Sequence, residues 1–179
     1  KGAGININDK EGNSLLHLAA QTVQPEVAAR LLLLGADVNL CNNSGQTPLL
    51  LAAATQNKAL AQLFISNGAA INATDKLGNT PLLIAVQAKS LQMTDLLLEN
   101  GAAINQVNHA GESALLIACY QTNRMLVKQL VAAGAAITVA SNSGLSPIWF
   151  ACANNQKEIV SLFLEHGVDI NFSRPLSHT

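Results

Sequence analysis

Charge is scarce in this sequence. Asp, Glu, Lys and Arg make up 12% of the 179 residues, and 10 basic against 11 acidic side chains leave a net charge of -1. A protein that grips nucleic acid by neutralising phosphates needs a basic excess, so nucleic acid is not an expected partner. Aromatic residues are scarcer still, at 3% (Phe 4, Trp 1, Tyr 1). Long hydrophobic runs are missing. The richest, Leu31 to Leu34 and Leu49 to Ala54, fall far short of the ~20 residues a spanning helix requires, which argues against direct membrane insertion. Lys1-Gly2-Ala3-Gly4-Ile5-Asn6 holds no apolar core behind its basic start, so no secretory signal is read there. Cysteine is limited to Cys41, Cys119 and Cys152, an odd number with no C-x-x-C, which suits a reducing, intracellular and cytoplasmic setting. Apolar residues are abundant. At 49% they suffice to bury a core and exclude a disordered chain.

The apolar residues are arranged periodically. Glycines fall at Gly2, Gly35, Gly68, Gly101, Gly134 and Gly167, each 33 residues after the last. Gly12, Gly45, Gly78, Gly111 and Gly144 form a second series with the same step, and Ala19, Ala52, Ala85, Ala118 and Ala151 a third. Three registers with one period identify a repeat protein. The period divides the chain into five full units, 9–41, 42–74, 75–107, 108–140 and 141–173. Residues 1–8 and 174–179 are in register with the tail and the head of further units, so the array is expected to continue beyond this chain.

Each unit begins with a polar turn closed by glycine, as in Asp9-Lys10-Glu11-Gly12 and Asn42-Asn43-Ser44-Gly45. Asp or Asn at the head of such a turn bonds its own backbone, and glycine accepts positive φ. Then come Thr47-Pro48, Thr80-Pro81 and Ser146-Pro147, with Ser14-Leu15 and Ser113-Ala114 as relaxed versions. A hydroxyl N-cap followed by proline at the first helical position starts a helix. That helix is almost wholly apolar, as in Leu49 to Ala53, and must lie between neighbours. A second apolar segment follows (Ala59 to Ile65, Thr94 to Leu98, Arg124 to Val131, Glu158 to Leu164) and ends at the first glycine series. The predicted unit is turn, helix, helix, loop, stacked on its neighbours in an all-α solenoid.

Thr47-Pro48-Leu49-Leu50-Leu51-Ala52, Thr80-Pro81-Leu82-Leu83-Ile84-Ala85 and Leu32-Leu33-Leu34-Gly35-Ala36-Asp37-Val38-Asn39 carry a resemblance to the ankyrin repeat family. It extends over residues 1–179. Ser14-Leu15-Leu16-His17-Leu18-Ala19 keeps the family's histidine, which Leu50, Leu83, Leu116 and Trp149 replace in the other units. The resemblance implies stacked helix pairs with hairpin-like fingers at right angles, fingers and first helices forming a concave face. It also implies that His17 hydrogen-bonds between loops.

Reactive chemistry is sparse. His17, His109, His166 and His178 have no partners at metal-ligand spacing, and no H-E-x-x-H, G-x-S-x-G or phosphate-cradling glycine loop occurs. Cys119 and Cys152 share a register position. Stacked helices lie ~8–10 Å apart, beyond the ~7 Å Cα limit for a disulfide, so both are predicted to be small core residues. The carboxylates are scattered and read as solvated surface. Neither enzymatic activity, a cofactor nor a metal is expected.

The family's partner contacts come from the finger tips and the adjoining end of the first helix. Transferred by register, the candidates are Lys10, Asn43, Gln46, Lys76, Leu77 and Asn79, followed by Gln87, His109, Glu112, Tyr120, Asn142 and Leu145. Most are neutral or amide-bearing, which disfavours a strongly charged partner surface. Leu77, Tyr120 and Leu145 stand out as apolar; each is either an ordinary exposed residue or an anchor, and a shared groove favours the anchor. Trp149 is read as core packing ahead of binding. Asn39, with Asp37 and Val38 before it, resembles sites that an asparaginyl hydroxylase modifies in ankyrin repeats, and Asn171 is a weaker match. The alternative is that these asparagines bond the loop backbone. The expected function is a non-catalytic module binding a protein loop or peptide on its concave face. The alternative is a substrate-recruiting or regulatory arm of a larger enzyme, channel or pathogen effector.

Overall fold

The structure, a computed structural model, describes residues 4–168. Gly2, Asn171, His178 and the whole of 174–179 lie outside the described residues. Thr47 Oγ1 accepts from the Leu50 amide at 3.4 Å, Thr80 Oγ1 from Leu83 at 3.2 Å and Ser113 Oγ from Leu116 at 3.2 Å. Each hydroxyl satisfies a donor that the first turn of a helix leaves orphaned. Five helices of 7 residues begin this way or at the matching register: α1 (Leu15–Gln21), α3 (Pro48–Ala54), α5 (Pro81–Gln87), α7 (Ala114–Tyr120) and α9 (Pro147–Ala153). Each is followed by one of 9 residues: α2 (Pro25–Leu33), α4 (Lys58–Ser66), α6 (Leu91–Glu99), α8 (Arg124–Ala132) and α10 (Lys157–Glu165). Helix α6 starts three residues before the predicted Thr94, because Ser90 Oγ caps it through the Met93 amide at 3.3 Å.

A left-handed residue joins the two helices of every pair, and it is never glycine. Val23, Gln56, Lys89, Thr122 and Asn155 have φ between 53° and 57°. Packing of the flanking helices holds even β-branched Val23 and Thr122 in a region such residues seldom occupy.

The helices form two rows. In the inner row α1, α3, α5, α7 and α9 pack each against the next, while the outer row touches less extensively. Alanines at the third register, Ala52, Ala85, Ala118 and Ala151, are wholly buried and let the inner helices approach closely. Leu60, Phe64, Leu97, Leu126 and Phe163 fill the space between the rows. Among the described residues there is no strand; the fingers are tight turns, with isolated bridges only at Asn8–Ser14 and Val107–Ser113.

Successive fingers are tied by one backbone bond each. The amides of Asn43, Lys76, His109 and Asn142 donate to the carbonyls of Glu11, Ser44, Leu77 and Ala110 at 2.9–3.1 Å. Behind the fingers a second ladder runs through asparagine. Asn6, Asn39, Asn72 and Asn105 each accept, through Oδ1, from the amide 31 residues ahead at 2.8–3.0 Å. Asn39 also donates to the Gly68 carbonyl at 3.0 Å, which is the loop-bonding role.

Candidate functional site

Polar side chains lock the first four fingers from beneath. Asp9, Asn42, Asp75 and Asn108 accept through Oδ1 from the amide four residues on, at 2.7–3.0 Å. The residue there bonds back in every case: Asn13 to Asp9, Asn79 to Asp75, and Gln46 and Glu112 as acceptors from Asn42 and Asn108. Amides also cross between fingers, from Asn42 to Asn13 at 2.9 Å and from Asn108 to Asn79 at 3.2 Å.

At the fifth finger this pattern stops. Ser141 stands where Asp or Asn stands elsewhere, and its hydroxyl pairs with that of Ser143 at 2.8 Å. Leu145 stands where a polar partner would. A hollow of about 410 Å³, lined by polar and apolar side chains alike, lies between this finger and helices α7 and α9. Leu116 and Ile117 of α7 form its floor, and Gln87, Glu112 and Gln121 form its polar rim. Tyr120, Leu145 and Phe150 supply the apolar walls. Tyr120 is 68% exposed and meets Phe150 edge to face at 5.5 Å.

The hollow brings four of the twelve candidate contact residues together: Gln87, Glu112, Tyr120 and Leu145. Lys10, Asn43, Lys76, Leu77, His109 and Asn142 are exposed along the finger tips, outside it. Leu77 therefore does not share a groove with Tyr120 and Leu145. Asn79 is buried within the lock, where it holds Asp75, Asn108 and Gln87 together. Gln46 is half-buried, with its carbonyl accepting from His17. Phe150 was not among the candidates. The signal was its register, 33 residues after Ile117 and 30 after Tyr120, on the helix that stacks against α7.

Two expectations for the core fail at the same place. Trp149, expected inside, is 52% exposed, whereas Leu50, Leu83 and Leu116 at its register are buried. Cys152 is exposed although Cys119, its counterpart, is buried. Both face the side on which each earlier unit receives the next, and no described helix follows α10. Trp149 instead packs edge to face on Phe150 at 5.1 Å. Burial pushes the Cys119 thiol up to about 12.

His17 is fully buried, and its environment fixes its tautomer. The Ser14 amide donates to Nδ1 at 3.0 Å, so Nε2 carries the proton and donates to the Gln46 carbonyl at 2.8 Å. Burial holds its pKa below the ordinary value, outweighing the opposite pull of the Gln46 carbonyl and of Asp9. Among the described residues no group of three His, Cys, Asp or Glu side chains is placed to hold a metal, and no helix is long and apolar enough to cross a membrane.

The family model for ankyrin repeats, in 3 copies, matches residues 16–108 and again 100–174. No curated protein matches the chain.

Proposed function

Because the chain belongs to the ankyrin repeat family, whose repeats are generally protein–protein interaction modules, we propose that it binds a protein loop or extended peptide along the face made by its fingers and inner helices. The observation that carries this reading is the hollow beside Tyr120. Exposed aromatic side chains next to a packed apolar floor supply most of the energy of protein interfaces. Here Tyr120, Leu145 and Phe150 meet in one concavity on a largely polar, amide-bearing face. Backbone ties between the fingers keep that face preorganised, which lowers the entropy cost of binding.

The test compares wild type with the double variant Tyr120→Ala, Leu145→Ala in affinity capture from cell lysate, after matching their thermal melts. A partner retained by wild type and lost from the variant is the expected result. Equal retention by both would move the binding surface away from the hollow.

A further inference from the structure

We infer that the hollow seats one cationic side chain, an arginine by preference, projecting from the bound segment; this deepens the reading above and depends on it. Among the described residues, Glu112 is the only charged one lining the hollow. Its carboxylate lacks a bond that two other fingers receive: Asn42 reaches across to Asn13 and Asn108 to Asn79, both in Glu112's register, whereas Asp75 has no amide to offer Gln46. The residue that would do so for Glu112 is Ser141, which is too short and pairs with Ser143. Asn108 occupies Glu112 Oε2 at 2.9 Å, and no amide from the following finger reaches Oε1.

The glutamines add acceptors. Gln87 donates one N–H of its amide to Asn79 Oδ1 at 3.4 Å, and Gln121 one of its own to the Gln87 carbonyl at 2.9 Å. Gln87 Oε1 is left as an acceptor beside Glu112, while Gln121 Oε1 is buried with no partner among the described residues. An anionic ligand would meet a carboxylate and amide oxygens with no compensating cation. A guanidinium brings five donors in one plane, a geometry that suits the Glu112 carboxylate, and stacks on aromatic faces better than an ammonium does. The exposed ring of Tyr120, which lines the hollow, is the one available for such stacking. Leu145 and Leu116 suit the methylene stem, which buries well against apolar walls.

The experiment selects a random peptide library on the full 179-residue chain and measures the best binders by fluorescence anisotropy. Selected peptides are expected to share an arginine or lysine. Exchange of that arginine for neutral citrulline, nearly its isostere, is expected to weaken binding about tenfold. Glu112→Gln keeps an acceptor for Asn108 while removing the charge, and is expected to cost about fivefold, less at high salt. Binders that need Tyr120 but carry no cation, or tolerate both citrulline and Glu112→Gln, would overturn this inference and leave the binding face standing. A library in which no binder depends on Tyr120 or Leu145 would overturn both.

Discussion

His17 shows how one side chain couples two units and makes the coupling sensitive to acid. Its Nδ1 already accepts from the Ser14 amide, so a second proton breaks that bond and places a charge where water cannot reach. Its folded pKa lies below its unfolded value of about 6.5, so the unfolded chain binds the proton more readily. The stabilisation is therefore complete above that value and is lost as pH falls through the folded pKa. Urea melts between pH 8 and pH 5 are expected to show a falling midpoint below about 6.5. The same series on His17→Leu, which installs the residue found at Leu50, Leu83 and Leu116, is expected to be flatter. An unchanged slope would dissociate His17 from the effect.

At the scale of the element, the two glycine series do different jobs. Gly68 has φ of 84° with nothing within 4 Å of a would-be Cβ, so its substitution meets only backbone strain. Gly78 has φ of 78°, and a Cβ there would fall 2.8 Å from the His109 ring and 3.0 Å from the His109 amide nitrogen that donates to Leu77. Gly68→Ala is expected to cost about 1–2 kcal/mol, the left-handed penalty alone. Gly78→Ala is expected to cost at least about 1 kcal/mol more, because the neighbouring finger must also shift. Chemical denaturation of the two variants side by side checks the order, and equal losses would deny the finger contact its role. These elements were legible in the sequence because they rest on local chemistry. A hydroxyl before proline, a glycine after a helix and an Asx-headed turn act within a few residues. The left-handed Val23 was not legible, since its conformation is imposed by helices on both sides.

At the scale of the molecule, position in the stack decides what sequence alone treated as equivalent. Trp149 and Leu83 share a register, yet one is half exposed and the other buried, because burial needs a neighbour on each side. The hollow was legible only in part for the same reason. Tyr120 and Leu145 were visible as apolar residues at candidate contact positions, whereas their meeting with Phe150 depends on how two units dock. Interior and terminal units should also melt differently, since a repeat array is held by nearest-neighbour interfaces. Phe64 and Phe163 are both fully buried and occupy matching places in α4 and α10. Phe64→Ala, at a cost of about 3–5 kcal/mol, is expected to lower the whole transition. Phe163→Ala is expected to free α9 and α10 first. Hydrogen exchange followed by mass spectrometry separates the cases, and uniform loss of protection in both variants would mean that the array melts as one block.

The ties between fingers have a consequence for how such a face can change over time. Lys76 joins the tie through its main-chain nitrogen, His109 through main-chain nitrogen on one side and main-chain oxygen on the other, and Leu77 and Ala110 through main-chain oxygen. The alphabet displayed at these tips is thereby uncoupled from the grammar that aligns them. New side chains can be written there, by evolution or by grafting, while the spacing between successive tips stays constant, and one scaffold can acquire a new partner without relearning how to fold.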